Sequence, residues 1–418
     1  QWKQTDWKNK ITTEKGWNKH AEELKNLSEE MRDYPAEFSK YGGWLGLQFD
    51  ATGFFRTHHD GKRWWFVDPE GYAFLSSGMD CVRPDEPAVL TGNESLFEYL
   101  PPEDGDYKGV YGTSRELKTI DFFKLNMMRI FGREWYDAWV KITINKLVSA
   151  NFNTVGNWSL ERFSTKSGLP YVIPLNNFPS TKIFLYRDFP DVFSPEYREK
   201  AKVFASQLES YKNDPNLIGY FLRNEPQWAF GNNNLAFEML ASESPSYTRT
   251  ALILWLKGKY QVVDSLSKSW DLELTEFEDI RSLKLKEYPS DNCRSDLWEF
   301  SKLMVSEYVD VISEETRKVD PNHLNLGMRY AYISSDLLYT AGEAFDVFSI
   351  NGYSSPGPPD TDEIYRRSGK PVMIGEFHFG ATDRGLPSTG LKGVKNQKER
   401  GKAYRYYLEQ GFSRPEII

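Results

Sequence analysis

Two glutamates stand at positions where carboxylate chemistry is feasible. Glu225 closes the stretch LIGYFLRNE and Glu376 closes PVMIGE. Each follows a short apolar run after a Pro, Gly or Asn break, as in a strand buried on both faces of a parallel sheet, so each carboxylate falls where its strand emerges. One such glutamate is ordinarily a solvated loop residue. Two on separate strand ends can face one another across a cleft, one protonating a departing oxygen while the other attacks the carbon it leaves, which is how a glycosidic bond is cut.

Glu225 suits the acid. Its neighbour Asn224 can hydrogen-bond a sugar hydroxyl beside the cleaved bond, and Pro226 fixes the chain direction just after it. Glu376 suits the nucleophile, which must stay ionised while the acid stays protonated, so the two environments must differ. Tyr353, in SINGYS, either orients that nucleophile or is a core tyrosine. Arg83 and Arg329 are candidate partners for a carboxylate or a sugar oxygen, with surface ion pairing as the plainer role. Asn157, Trp158, Asn176, Asn177, Trp228 and His378 all follow or end expected strands, where polar and aromatic groups would line a sugar subsite.

His378 reads as a hydrogen-bonding wall, and His58 and His59 sit beside a turn. With five histidines and none in HExxH spacing, no catalytic metal and no cofactor are expected. Cys81 and Cys293 make neither a disulfide framework nor a zinc site, leaving one bridge or two free thiols.

The elements that would position these residues are those of an α/β chain, a (β/α)8 TIM barrel with its chemistry at the carboxyl ends of the strands. Residues 1–52 read as a polar N-terminal arm with a helix around 17–31, and 53–418 as the catalytic barrel. An antiparallel hairpin segment turns at Asp60-Gly61 and again at Asp68-Pro69-Glu70-Gly71 before strand one, 72–79. Residues 80–121 read as a long loop on the active face. Strands two to seven are expected at 153–158, 171–178, 217–223, 323–330, 345–353 and 372–376. A helical insertion occupies 245–320, and a helix covers 397–410. Arg414–Ile418 resembles the opening of an eighth strand, which leaves the last strand incomplete.

Composition narrows the partners. The chain has 418 residues and a net charge of −8, from 52 basic and 60 acidic residues mixed along its length, so neither nucleic acid nor an anionic membrane surface is an expected partner. No run approaches the ~18 apolar residues of a membrane span. Aromatics are 15% of the chain, with 13 Trp and 24 Tyr, which fits either stacking on sugar rings or a core rich in large rings. An oligo- or polysaccharide is the expected partner. The opening at Gln1, without Met or a signal-like stretch, points to a processed or trimmed chain, and a secreted or periplasmic location follows only from the expected function.

The Asn-Glu-Pro at 224–226 and the glutamate on strand seven resemble the clan A retaining glycoside hydrolases. GFFRTHHDGKRWWFVDPEGYAFLSSGMDCVRP, NFNTVGNWS and GYFLRNEPQWAFG resemble the family 50 β-agarases more specifically, and the likeness touches parts of the chain from about 53 to 413. The resemblance implies Glu225 as acid/base and Glu376 as nucleophile, acting on β-linked galactose units of a galactan such as agarose. The chain departs from that family in its short arm, its long 245–320 segment and its end. The same mechanism on another β-galactoside or a β-glucan, or an inactive sugar-binding barrel, are the other readings.

Overall fold

The structure is a computed structural model that describes Trp7, residues 10–242 and residues 245–418. Positions 1–6 and 8–9 of the expected arm lie outside the described residues. The chain divides into two compact units, one of residues 1–48, 76–171 and 383–385, the other of 49–75, 172–382 and 386–418.

In the first unit, Thr13 caps the helix Glu14–Glu29 by accepting from the Gly16 amide. That helix lies beside Trp135–Ser149, whose buried Asn145 donates to the carbonyls of Leu27 and Glu30 at 2.8 and 2.9 Å. Two short parallel strands follow the expected order, β1 (Gly78–Met79) and β2 (Thr154–Val155), with Gly78 opposite Thr154 and Met79 opposite Val155. A Cβ on Gly78 would stand 2.4 Å from the Thr154 carbonyl oxygen, so only glycine lets the strands approach.

Two expectations are corrected. The single strand at 72–79 is two pieces, since Tyr72–Phe74 belongs to an antiparallel ribbon and only Gly78–Met79 joins the parallel pair. The expected loop at 80–121 contains a three-stranded antiparallel sheet, Pro87–Val89, Leu117–Asp121 and Tyr111–Ser114 in that spatial order. Leu90, Val110, Ile120 and Leu125 form a small core beneath it. Its strands are short and broken by proline and glycine, so they carry too little alternation to read from sequence.

In the second unit, Arg56–His59, Trp64–Val67 and Tyr72–Phe74 pair antiparallel around the two expected turns. The Asp68 carboxylate closes the second turn by accepting from the Glu70 and Tyr72 amides, both at 2.9 Å. The parallel run consists of β3 (Tyr171–Pro174), which starts at the unit boundary, β4 (Leu217–Phe221), β5 (Leu324–Asn325), β6 (Phe348–Asn351) and β7 (Val372–Glu376). The Leu175 amide bonds to the Phe221 carbonyl, Gly219 pairs with Leu324, Tyr330 bridges to Ile350, and Phe348 pairs with Val372. Ile417 then makes an isolated parallel bridge to Val372 on the other side of β7.

Within this unit each parallel strand therefore neighbours the next in sequence, with helices between. The 245–320 segment is helical as expected, with Tyr247–Tyr260, Val263–Trp270 and the 29-residue Asp291–Val319. Its apolar residues, among them Leu252, Trp270, Phe300 and Val309, join the same core cluster as Tyr220 and Phe348. Cys81 and Cys293 are both free thiols.

Candidate active site

Strand β4 is buried at every position and hands the chain to Glu225, whose φ of 48° lies in the left-handed region. Arg329, past the end of β5, has φ 43°. A residue with a Cβ costs about 1–2 kcal/mol there, and such strain collects at functional sites. The two residues hold one another, since the Glu225 amide donates to the Arg329 carbonyl at 3.2 Å.

Glu376 arrives through a bulge. Ser349 and Ile350 face Met373 and Ile374 in regular register, but Asn351 then faces Glu376, so Gly375 is the extra residue. Bulges of this kind re-aim a side chain, and here the carboxylate is turned towards the end of β6. Gly375 also makes room for a cation, because a Cβ there would sit 2.6 Å from the Nε of Arg329.

Strand β6 and the residues directly after it supply the partners, at every second position. Ser349 Oγ accepts from the Arg329 amide at 3.0 Å, Asn351 Nδ2 donates to Glu225 Oε1 at 2.6 Å, and the Tyr353 hydroxyl donates to Glu376 Oε1. Arg329 is fully buried, with its guanidinium over the Phe221 ring at 5.1 Å. Its Nη2 donates to Glu376 Oε2 at 2.9 Å and to the Gly375 carbonyl at 2.7 Å, while its Nε donates to Asn351 Oδ1 at 3.3 Å. The two glutamates are thus linked through Asn351 and Arg329.

The two carboxylates sit in different surroundings. Both oxygens of Glu376 accept hydrogen bonds, one from a guanidinium and one from a phenol, which is how an ionised carboxylate is satisfied. Among the described residues Glu225 has one side-chain donor, the Asn351 amide, on one oxygen. Burial, then the hydrogen bond and charge of Glu376, then the charge of Glu225, push the Tyr353 phenol well above its ordinary pKa, so it remains a donor. Burial also holds the His378 imidazole below its usual value, aided by Arg400 and opposed by Glu376. Its ring meets Tyr353 edge to face at 5.0 Å. Glu376 keeps 19% of its side chain exposed, so the carboxylate is open to a ligand.

The other residues singled out from sequence are dispersed. Asn224 adjoins Glu225 and carries a buried side-chain oxygen with no partner among the described residues. Trp228 is 2% exposed and packed against Phe189, Tyr308 and Tyr330, so it presents no open ring face. Asn176 is exposed, its amide and carbonyl both bound to the Gln207 side chain at 3.0 Å. Arg83, Asn157 and Trp158 belong to the first unit. Arg83 is paired with Asp85 through two hydrogen bonds, one of 2.8 Å, and Asn157 is wholly buried with neither side-chain polar atom partnered among the described residues. Trp158 is exposed, with φ 56°. Asn351 is the residue the sequence reading passed over. Its signal was present, because it lies two positions before Tyr353 in SINGYS, at the end of an expected strand.

The chain is similar to Beta-agarase B of Vibrio sp. (strain JT0107), 29% identical over 99% of this chain and 48% of that protein. Beta-agarase A of the same organism is 23% identical over 81% of this chain and 38% of its own length. The chain thus spans about half the length or less of these curated relatives. The crystal structure of an agarase, AgWH50C, superposes with a TM-score of 0.85 at 25% identity, covering 99% of this chain and 64% of that one. An exo-beta-agarase structure superposes at 0.83 with 24% identity, covering 99% and 65%. No helix among the described residues is long and apolar enough to cross a membrane. Residues 134–374, more than half of the chain, match the Glyco_hydro_42 family model, described as beta-galactosidase. The chain belongs to this family of glycoside hydrolases.

Proposed function

We propose that this chain is a retaining glycoside hydrolase that cuts β-glycosidic bonds of a galactan such as agarose by double displacement. The observation that carries the proposal is the linkage of Glu225 to Glu376 through Asn351 and Arg329, with donors on both oxygens of Glu376 and on one of Glu225. On this reading Glu225 gives its proton to the glycosidic oxygen as the bond to the anomeric carbon breaks. Glu376 attacks that carbon and forms a glycosyl ester. Glu225 then takes a proton from water, whose oxygen displaces Glu376 and restores the starting configuration. The buried, unpartnered oxygen of Asn224 suits a sugar hydroxyl next to the reacting carbon. The galactan assignment rests on the agarases this chain is similar to.

In this reading residues 53–418 form a (β/α)8 barrel, 1–52 an arm and 245–320 a helical insertion, with the sequential order of parallel strands in support. Tyr353 and His378 flank the nucleophile, whereas Arg83, Asn157, Trp158 and Asn176 stand as subsite candidates from sequence, and the buried Trp228 supports the site from behind. A polymer substrate implies a secreted or periplasmic enzyme. A second reading, cleavage of simpler β-galactosides, is favoured by the family's description. Glu225→Gln and Glu376→Gln decide between enzyme and binding protein. Each should lower turnover of agarose oligosaccharides and an aryl β-galactoside by about 10³-fold or more, with early product of retained configuration in the wild type. Unchanged turnover in either variant, or inverted product, removes the proposal.

A further inference from the structure

We infer that Asn351 is a positioning residue that decides which oxygen of Glu225 carries the catalytic proton, with its own orientation imposed by Arg329. The inference rests on the assignment of Glu225 as acid/base. A carboxamide alone does not announce which end is oxygen, but a guanidinium does, because it has donors and no acceptor. Arg329 Nε lies 3.3 Å from Asn351 Oδ1, so the amide carbonyl faces the arginine and its NH2 must face the other way. That NH2 lies 2.6 Å from Glu225 Oε1. Turning the amide over would set donor against donor at the guanidinium and acceptor against acceptor at an ionised Glu225.

Arg329 cannot swing aside to permit this. It is fully buried, lies over Phe221, and is tied to the Gly375 carbonyl at 2.7 Å and to Glu376 at 2.9 Å. Glu225 Oε1 therefore always receives a donor. A proton on Oε1 would point at an N–H, so the acid form carries its proton on Oε2. In the first half-reaction the Oε2–H bond breaks and the proton passes to the glycosidic oxygen, which keeps the electron pair of its bond to the anomeric carbon. In the second half-reaction Oε2 receives a proton from the attacking water. The guanidinium that fixes the amide also holds the nucleophile, so one group sets the orientation of both carboxylates.

The test uses Asn351→Asp and Asn351→Ala in the full chain, with two substrates, an agarose oligosaccharide and a dinitrophenyl β-galactoside whose leaving group needs no proton. Loss of a donor to the ionised carboxylate should move the basic limb of the kcat/KM profile up by about one pH unit in the alanine variant. The aspartate variant should move it further, since an acceptor now faces Glu225. The oligosaccharide rate should fall about tenfold or more, the dinitrophenyl rate far less. Unmoved limbs with equal losses on both substrates would make Asn351 merely structural and overturn the inference. Carbon-13 NMR titration of the Glu225 carboxyl, identified by its absence in Glu225→Gln, reads the same donor without any turnover. Should the wild type hydrolyse neither substrate, the functional assignment fails on its own, while an unchanged carboxyl titration in both variants still refutes the role of Asn351.

Discussion

Gly375→Ala should disable the proposed nucleophile, Glu376, without touching it. The new Cβ would stand 2.6 Å from Arg329 Nε and 3.1 Å from its Cγ and Cδ, 0.8 Å short at Nε of the 3.4 Å where ordinary contact begins. Strand β7 is held on one side by β6 and on the other by the bridge to Ile417, so the arginine side chain has to yield. A retreat of that size takes the 2.9 Å bond from Nη2 to Glu376 beyond hydrogen-bonding distance. A hydrogen bond between charged groups contributes roughly 1.5–3 kcal/mol, and about 1.4 kcal/mol corresponds to a factor of ten, so kcat/KM should fall by about 10- to 150-fold. The assay is initial-rate hydrolysis of an aryl β-galactoside and an agarose oligosaccharide, alongside thermal unfolding and a crystal structure of the variant. A folded Gly375→Ala protein with wild-type kcat/KM and an intact Arg329–Glu376 pair would refute the reasoning.

The pH dependence of two further groups can be measured as well. Asp320 is fully buried, its carboxylate 2.7 Å from His323 Nδ1. Burial would raise its pKa, but the hydrogen bond and charge of His323 and the amides of Asn322 and His323 outweigh that and hold it below the usual carboxylate value. A carboxyl lowered on folding adds stability above its unfolded pKa of about 3.9 and loses it as pH falls through the folded value. Asp320→Asn should therefore lower Tm at neutral pH, by a loss of about 1–3 kcal/mol, and flatten the acid side of the Tm-against-pH curve. A parallel curve displaced at all pH values would contradict this. The His378 imidazole should titrate below the ordinary histidine value in NMR, and lower still in Glu376→Gln, because the one influence raising it is then gone. An upward move in that variant would put the carboxylate elsewhere.

The strand ends were legible because their signals are local. A mostly apolar run that leads to a carboxylate, as at Leu217–Glu225 and Val372–Glu376, needs no knowledge of the rest of the chain. Tyr353 could be read from sequence as either an orienting group or a core tyrosine, and its hydroxyl donates to Glu376 Oε1. Arg329 reads equally well as a surface ion-pair former, since nothing nearby in sequence announces that Glu376, 47 positions on, will accept from it. The bulge at Gly375 was invisible too, because it exists only in the register with β6. Trp228 read as a sugar platform beside Glu225, yet its burial depends on Phe189, Tyr308 and Tyr330 arriving from three other segments. The sheet within 80–121 escaped because its strands take their cohesion from pairing rather than pattern.

Arg63, in the antiparallel ribbon, donates to the carbonyls of Phe412 and Ile417 at 2.8 and 2.9 Å, and the Trp64 amide to that of Pro415 at 2.8 Å. These contacts span 349 and 354 positions for the arginine alone. During synthesis the ribbon cannot make these contacts until residues 412–417 have left the ribosome. The early and late segments of this unit can then settle only together, and a chain stalled before position 412 would expose a ribbon prepared for partners that never come.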